Sequence, residues 1–299
     1  MSLFDRLVVT TLPLVPKLLV GRVASRYVAG ETWADAVAAI RRLNGEGAMA
    51  TVDLLGEEIT EKHQATAALE GYLKAVDDIV DQKLDCNLSV KPTLLGLHLD
   101  EDFCLDNARR LVEAAAAKDL FVRLDMEDRH CTDATLRVYR ALYDLRTHVG
   151  VVFQSYMRRT LADVGALPED GANVRLCKGI YIEPRSAAWK GYDTVRLNFL
   201  AALEQLFRQG VYVGVATHDE YLVCGAVALI DKLSIPRDRY EFQMLLGVEP
   251  ELRKILLDGG HRLRVYVPFG RDWYLYSIRR LRENPAVAGH VLRALLRGK

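Results

Sequence analysis

An eight-stranded parallel β/α barrel with an N-terminal helical extension is the fold that this sequence predicts. From about residue 48 onward, short β-rich runs alternate with amphipathic helical patterns, and eight such units in about 250 residues are typical of a β/α barrel. Half of the 299 residues are apolar, so the chain can bury a substantial core in one domain. We therefore expect an N-terminal helical segment over residues 1–44 and a catalytic barrel over residues 45–299.

The N-terminal segment begins with the apolar stretch LVVTTLPLVPKLLVG, which is too short to span a bilayer. Pro13, Pro16 and Lys17 interrupt it, and Asp5 stands where a secretory signal would carry basic residues. Two interpretations stay open. We prefer a helical cap that packs on the barrel, and the alternative is a segment that contacts a membrane surface.

The eight strand candidates are short runs rich in β-branched, aromatic and leucine residues. In chain order they are AMATVDLLGEEI, VKPTLLGLHLD, LFVRLDMED, GVVFQSYM, NVRLCKGIYIE, VYVGVATHD, YEFQMLLGV and RLRVYVPFG. Helical patterns such as DNARRLVEAAAAK and DTVRLNFLAALEQLFRQG lie between them, and Gly210 ends the second as a C-cap.

Charge and cysteine usage narrow the class of protein. The 40 basic and 40 acidic residues cancel, and no basic tail or stripe is present, so a nucleic-acid partner is not expected. The five cysteines have neither metal-ligand spacing nor a disulfide framework, so we expect no metal and a reducing, cytoplasmic setting. They are Cys86, Cys104, Cys131, Cys177 and Cys224.

Polar residues recur at one parity near the ends of most strand candidates, which is where a β/α barrel carries its active site. They are Asp53, Glu57, Lys91, Arg123, Asp125, Gln154, Arg175, His218 and Tyr266. Because an unpaired charge inside a barrel is costly, these groups must pair with each other or with a ligand. Core ion pairs are the alternative for Arg123 and Asp53, and a structural role is the alternative for His218 and Gln154. Because polar residues recur at the ends of most strands, we favour an active site at the carboxyl end of the barrel, which we call the mouth.

Common catalytic fingerprints are absent from the sequence. It contains no G-x-G-x-x-G after the first strand, no P-loop, no H-E-x-x-H and no G-x-S-x-G. Rossmann dehydrogenases, nucleotide hydrolases, zinc peptidases and serine hydrolases are therefore disfavoured. A mouth rich in Arg, Lys and Asp suits a small anionic substrate and a phosphate-bearing cofactor.

Seven segments, in order, resemble the strand motifs of the proline dehydrogenase family. They are LDMED, FQSYMRR, VRLCKGIYIE, ATHD, EFQMLLG, RVYVPFG and YSIRRLREN, and the resemblance runs from about residue 45 to 285. The length matches the compact monofunctional bacterial form. The resemblance implies FAD-dependent oxidation of L-proline to Δ1-pyrroline-5-carboxylate, the first step of proline catabolism. It further implies hydride transfer from proline C5 to flavin N5, and a quinone as electron acceptor.

The resemblance also implies roles in substrate binding. Arg279 and Arg280 would clamp the proline carboxylate, because a guanidinium fork matches a carboxylate bidentately, and Lys91 would be a third cation. Glu57 would gate the site by pairing with Arg279. The other substrate positions are Tyr266, Leu245, Tyr276 and Tyr181. Pro92, directly after Lys91, departs from a regular strand because it cannot donate to a ladder.

Catalytic and cofactor positions follow in the same way. Asp125 would complete the ionic network, Arg175 would face flavin N5, and Gln154 would bind the pyrimidine edge of the flavin. The cofactor-binding positions are Met126, Gln154, Arg175, Lys178, Gly179, Ile180, Tyr181, Thr217, His218 and Glu283.

The implied quinone acceptor would bring the N-terminal stretch to the inner face of a membrane, as a peripheral contact. Two other functions stay open on the residues alone. A barrel aldolase or lyase would use Lys91 or Lys178 as a Schiff-base amine, and a non-catalytic barrel would only bind an amino acid.

Overall fold

The structure, a computed structural model, describes residues 26–56, 59–168, 171–274 and 276. In these residues eight parallel strands close into a single barrel, each strand pairing with the next and the last with the first. The strands are β1 (Met49–Leu54), β2 (Cys86–Val90), β3 (Val122–Leu124), β4 (Val149–Gln154), β5 (Asn173–Cys177), β6 (Tyr212–Ala216), β7 (Tyr240–Leu245) and β8 (Leu263–Phe269). The predicted fold class is confirmed.

Helices connect the strands on the outside of the barrel. Along the described chain they are α1 (Trp33–Gly45), α2 (Lys62–Asp81), α3 (Glu101–Ala116), α4 (Arg129–Ala141), α5 (Thr160–Gly165), α6 (Tyr192–Arg208), α7 (Glu220–Lys232) and α8 (Pro250–Asp258). Short 3₁₀ turns occur at Pro92–Leu95, Tyr143–Leu145 and Arg237–Arg239. Across the described ranges, no helix combines the length and the apolar character needed to cross a membrane.

Helix α1 precedes the barrel and packs against β8 and β1. Thr32 caps it, since its side chain accepts from the Asp35 amide while the Asp35 carboxylate accepts from the Thr32 amide. The buried face of α1 (Ala36, Val37, Ile40 and Leu43) joins the main hydrophobic core. The helix therefore closes the outer layer where the first and last strands meet. The apolar stretch at the start of the N-terminal segment lies outside the described residues.

The two faces of each strand have opposite character. Outward side chains such as Val52, Leu88, Val151, Val174 and Val265 are fully buried under the helices, and they form the main hydrophobic core. Inward side chains of β1, β2, β3, β5, β7 and β8 are largely polar or charged. This alternation of period two places a hydrogen-bonded polar interior inside an apolar wall.

The second strand differs from its sequence prediction. The segment VKPTLLGLHLD was predicted to be a strand, but β2 ends at Val90 and Pro92–Leu95 forms a 3₁₀ turn. Lys91 is the N-cap of this turn in an extended conformation, and Pro92 occupies the first helical position, where its missing N–H costs nothing. Lys91 is thus at the carboxyl end of β2, and Pro92 does not disrupt the ladder.

Candidate active site

Polar side chains inside the barrel form two groups, one above the other. The group at the carboxyl ends of the strands is called the mouth cluster, and it contains Asp53, Ser89, Lys91, Asp125, Arg175 and Tyr266. The group below it is called the floor cluster, and it contains Arg123, Asn173, Tyr212, Glu241 and Arg264. A barrel of this class carries its chemistry at the carboxyl ends, so the mouth cluster is the candidate active site.

Asp53 is the anchor of the mouth cluster. Its side chain is fully buried, and Oδ2 lies 2.5 Å from both Lys91 Nζ and the Tyr266 hydroxyl. The Tyr72 hydroxyl, from α2, lies 3.4 Å from Oδ1. Burial raises the pKa of Asp53, and the charge of Asp125 adds to this increase while Lys91 opposes it.

Lys91 stays a cation in this setting. Burial alone would lower its pKa, but the negative charges of Asp53 and Asp125 and the hydrogen bond to Asp53 outweigh burial and raise it. The pKa of Tyr266 also lies well above its ordinary value, through burial and the same two carboxylates. The structure therefore places a charged ammonium and a neutral phenol side by side at the mouth.

Asp125 and Arg175 form the second ion pair of the mouth cluster. Arg175 Nη1 lies 2.7 Å from Asp125 Oδ1, and Ser89 Oγ donates to the same oxygen at 2.7 Å. The Arg175 guanidinium also lies 5.6 Å from the centroid of the Tyr266 ring. Both predicted catalytic residues are thus in direct contact, and the Tyr266 hydroxyl, 3.4 Å from Asp125 Oδ2, links this pair to Asp53.

Arg123 belongs to the floor cluster and not to the mouth. It donates to the carbonyl oxygens of Val151 and Asn173 at 3.0 and 2.7 Å, and to the side chain of Asn173. Burial and the nearby Arg175 guanidinium lower its pKa to about 9, so it remains charged at neutral pH. Of the two interpretations that the sequence left open for Arg123, the structural one holds.

Predicted cofactor residues line the carboxyl ends of β4, β5 and β6. The Gln154 amide donates to the Glu127 carbonyl at 2.7 Å, and Lys178 Nζ lies 3.1 Å from Asp219 Oδ2. His218 Nε2 accepts from the Leu245 amide at 2.8 Å, so a neutral His218 carries its proton on Nδ1. The Thr217 hydroxyl accepts from the Asp219 amide at 3.1 Å. These polar groups share one edge of the mouth, and their mixture of donors and acceptors fits a polar, phosphate-bearing cofactor.

The loop after β5, which contains Gly179, borders the same edge of the mouth. Gly179 has φ +104°, and a Cβ there would lie 2.1 Å from Cδ1 of Tyr156. The backbone therefore lies directly on the Tyr156 ring, an approach that only glycine permits. Ile180 and Tyr181 follow in the same loop and are partly exposed, while Met126 is buried beside the mouth cluster. The loop backbone at Gly179 thus lies at the same edge of the barrel as Gln154, Lys178 and His218.

Apolar positions predicted to contact the substrate also lie near the mouth. Leu245 is the last residue of β7 and pairs with Tyr266 in the β7–β8 register. Tyr276 is buried in a small cluster with Val28 and Leu55, and it lies close enough to Tyr266 to raise the pKa of that phenol.

Three residues of the site were missed by the sequence reasoning. Ser89 and Gln243 precede Lys91 and Leu245 by two positions, so the parity that identified the other residues applies to them as well. Glu127, two positions after Asp125, accepts from the amide and hydroxyl of Thr93 at 3.1 and 2.7 Å. Burial raises the pKa of Glu127. It ties the turn after Lys91 to the loop after β3.

Four predicted site residues lie outside the described residues. They are Glu57, Arg279, Arg280 and Glu283. Their assignments therefore stay predictions.

Comparisons with known proteins agree on one family. A family model described as proline dehydrogenase matches residues 36–293. Proline dehydrogenase 1 of Bacillus subtilis subsp. natto is 37% identical over 274 residues, which cover 92% of this chain and 91% of that protein. Proline dehydrogenase of Deinococcus radiodurans is 36% identical over 280 residues, which cover 92% of this chain and 90% of that protein.

The barrel is also similar to solved structures. The crystal structure of proline utilization A (PutA) from Bdellovibrio bacteriovorus inactivated by N-propargylglycine matches with a TM-score of 0.82 at 24% identity. The match covers 88% of this chain and 32% of that one, so this chain spans about a third of its length. At this identity the likeness supports the fold alone.

Proposed function

The chain belongs to the proline dehydrogenase family, and from this premise we propose that it oxidises L-proline to Δ1-pyrroline-5-carboxylate with FAD as its cofactor. Membership makes it a flavoprotein oxidoreductase of proline catabolism. The observation that carries the finer proposal is the 2.7 Å contact between Arg175 and Asp125 at the barrel mouth. This contact fixes a guanidinium at the barrel mouth, and it supports our proposal that the reacting ring binds beside it.

Charge balance in the mouth supports binding of the proline carboxylate by arginines of the YSIRRLREN motif. Among the described residues of the mouth cluster, Lys91 pairs with Asp53 and Arg175 pairs with Asp125, so these cations are already compensated. A bound carboxylate needs further positive charge, and Arg279 and Arg280 follow β8 closely in sequence. Arg279→Met and Arg280→Met should each lower kcat/KM for proline by about ten- to a hundredfold. Proline amide, which lacks the carboxylate, should lose little in the same variants.

The residues around the substrate would then act on its ring. FAD, when bound, supplies the acceptor for the hydride that leaves proline C5. Gln154, Lys178, Thr217 and His218 would hold it along the edge of β4, β5 and β6, together with Met126, Gly179, Ile180, Tyr181 and Glu283. Arg175 would donate toward the region where negative charge develops, and Asp125 would keep that guanidinium in place. The proline nitrogen must be neutral during transfer, so activity should rise with pH until another group titrates.

The state of Lys91 argues against the lyase alternative. A Schiff-base lysine needs a lowered pKa, usually in an apolar pocket. The pKa of Lys91 is instead raised, because Asp53 and Asp125 outweigh the effect of burial. Lys178 lies 3.1 Å from Asp219, which also accepts from Arg196 and Tyr192. Lys91 is thus arranged to remain charged. Lys178 is held in an ion pair with Asp219 and is not an isolated amine in an apolar pocket.

Glu57 would gate the site by pairing with Arg279 when substrate is bound. Glu57 follows β1, which pairs with β8 in the closed barrel, so the two segments leave adjacent strands. Glu57→Ala should raise KM for proline and speed up ligand exchange, as measured by steady-state kinetics and stopped flow. If both quantities stay at the wild-type values, Glu57 has no gating role.

A quinone would take the electrons onward, and residues 1–44 would form a helical segment ahead of a catalytic barrel over 45–299. The apolar stretch LVVTTLPLVPKLLVG would give peripheral membrane contact in a protein that is otherwise cytoplasmic. Leu18→Glu together with Leu19→Glu should then reduce sedimentation with lipid vesicles while leaving flavin content unchanged. Equal sedimentation of variant and wild type would rule out this contact.

Anaerobic addition of L-proline to the purified protein tests the proposed function. A flavin-dependent proline dehydrogenase is yellow as purified, and its visible absorption should bleach on addition of proline. A Schiff-base lyase would be colourless, and a barrel that only binds amino acids would bind proline without bleaching. Either of these results would refute the proposal.

A further inference from the structure

We propose that Gln243 is a positioning residue that fixes the plane of the Arg175 guanidinium, and that Glu241 and Arg264 fix Gln243 in turn. This inference rests on the role proposed above for Arg175 and extends it to the floor cluster. None of these three residues belongs to the predicted substrate or cofactor set.

A continuous column of hydrogen bonds runs along the barrel interior from the floor to the mouth. Arg264 Nε donates to Glu241 Oε1 at 2.7 Å, and Gln243 Nε2 donates to the same oxygen at 2.6 Å. Gln243 Oε1 then accepts from Arg175 Nε at 2.5 Å. Arg175 Nη1 continues to Ser89 at 3.0 Å and to Asp125 at 2.7 Å. The side chains of the column are all buried or nearly so.

The neighbours of Gln243 permit one orientation of its amide. Glu241 can only accept, because the nearby Arg264 guanidinium keeps it ionised by lowering its pKa to about 2 despite burial. Arg175 can only donate, since a guanidinium has no acceptor. The amide NH₂ must therefore face Glu241, and its oxygen must face Arg175. A carboxylate at this position would repel Glu241, and an apolar side chain would remove the bond that Glu241 Oε1 and Arg175 Nε each make to Gln243.

Gly214 supplies the space that Gln243 occupies. Gly214 pairs with Glu241 in the β6–β7 register, and a Cβ on it would lie 2.5 Å from Gln243 Nε2 and 2.8 Å from its Cδ. Gly214 has no left-handed φ, so its conformation alone does not require glycine. The requirement is steric. Any larger residue would push the Gln243 amide out of the column.

The column matters because Arg175 is held from two sides. Gln243 holds Nε from below, while Asp125 and Ser89 hold Nη1 from above. Arg123 lies below as well, near enough that the charge of Arg175 helps to lower its pKa. Without the Gln243 oxygen and the Glu241 charge behind it, the guanidinium would face a like charge and could rotate about its Cδ–Nε bond. Its donor geometry toward the reacting ring would then be lost.

Two variants break the column in different ways. Gln243→Leu removes the polar contacts at similar volume, and Gly214→Ala displaces the amide without deleting any polar group. Thr51→Val is the matched control, because the buried Thr51 hydroxyl on the inward face of β1 has no hydrogen-bond partner within the described ranges. Each protein is purified with its flavin. Thermal unfolding, proline kinetics and the reduction potential of the bound flavin are then measured.

In folded Gln243→Leu and Gly214→Ala we expect kcat to fall about ten- to a hundredfold, with KM for proline within about threefold of wild type. The flavin reduction potential should shift in the same direction as in Arg175→Lys. Because Gln243 acts through Arg175, the kcat effects of Gln243→Leu and Arg175→Lys should be less than additive in the double variant. Thr51→Val should match wild type in all three measurements.

Three results would overturn the inference: wild-type kcat and potential in a folded Gln243→Leu, additive effects with Arg175→Lys, or an equal loss in Thr51→Val. If Gln243→Leu does not fold, Gly214→Ala decides in its place. A wild-type protein whose flavin proline does not bleach would refute the proposed function instead, so the two failures are distinguishable.

Discussion

One oxygen of Asp53 binds both the ammonium of Lys91 and the hydroxyl of Tyr266, each at 2.5 Å. Asp53 is fully buried, so its charge depends on these two partners and on Tyr72. The contact joins β1, the end of β2 and β8 into one unit at the barrel mouth. The mouth cluster therefore serves stability as well as chemistry, and the two roles can be separated by substitution.

Removing the partner of Asp53 should destabilise the barrel. Lys91→Met leaves a buried carboxylate without its cation, which should lower the free energy of unfolding by about 3 kcal/mol in denaturant titrations. Adding Asp53→Asn should recover most of this stability, since the orphaned charge is then gone, but it should not restore proline oxidation. If the double variant is no more stable than Lys91→Met, the ion pair is not the source of the loss.

Replacing Asp125 should impair turnover more than cofactor binding. Asp125→Ala removes the carboxylate 2.7 Å from Arg175 and leaves the guanidinium uncompensated at the barrel mouth. We expect near-normal flavin content with kcat/KM for proline lowered by about a hundredfold or more. Asp77→Ala is the control, because Asp77 forms a surface ion pair with Lys118, away from the mouth cluster. Near-normal proline kinetics in Asp125→Ala would remove Asp125 from the catalytic assignment.

Glu241 should make stability depend on pH in the acid range. Its pKa falls from 4.5 to about 2 on folding, because attraction to Arg264 and hydrogen bonds outweigh burial. A carboxyl whose pKa is lowered by folding stabilises the protein above its unfolded pKa and loses this contribution as the pH falls through its folded pKa. Glu241→Gln should therefore cost roughly 3 kcal/mol at pH 7 and reduce the loss of stability between pH 4.5 and 2.

The matched control for this prediction is Glu204→Gln, at a partly exposed surface residue that pairs with the exposed Arg208 and Lys232. Its effect on stability at pH 7 should be small, since exposed ion pairs contribute little. Denaturant unfolding across the pH range measures both variants. An unchanged acid-side slope in Glu241→Gln would mean that folding does not lower the pKa of Glu241.

A side chain at Gly179 should disturb the cofactor edge. The Cβ of Gly179→Ala would lie 2.1 Å from the Tyr156 ring at a φ of +104°, so the loop must move. We expect weaker flavin retention, measured as the absorbance ratio of the purified protein and as the dissociation constant for FAD. Gly45→Ala, where a Cβ meets no atom within 4 Å, should bind FAD as wild type does. Unaltered FAD affinity in Gly179→Ala would separate this loop from the cofactor.

The sequence predicted the barrel and much of its mouth for one physical reason. Period-two alternation survives in short strands, so residues such as Asp53, Arg175 and Tyr266 could be assigned to the interior before their partners were known. The alternation shows which face a residue occupies but not its position along the barrel axis. The sequence therefore could not show that Arg123 lies in the floor cluster. The turn at Pro92 was also missed, because an apolar run does not show where a ladder ends. Ser89 and Gln243 have the same inward parity, but a neutral side chain can be satisfied by the backbone inside a barrel and does not by itself require a charged partner.

The most direct test of proline oxidation at this mouth is the rate of anaerobic flavin bleaching with proline deuterated at C5 or at C2. The proposed chemistry breaks a C5–H bond, so bleaching should slow several-fold with C5-deuterated proline and stay at the unlabelled rate with C2-deuterated proline. The opposite pattern, slowing with the C2 label alone, would contradict the proposed hydride transfer from proline C5. Absence of bleaching with any proline would contradict the proposed function itself.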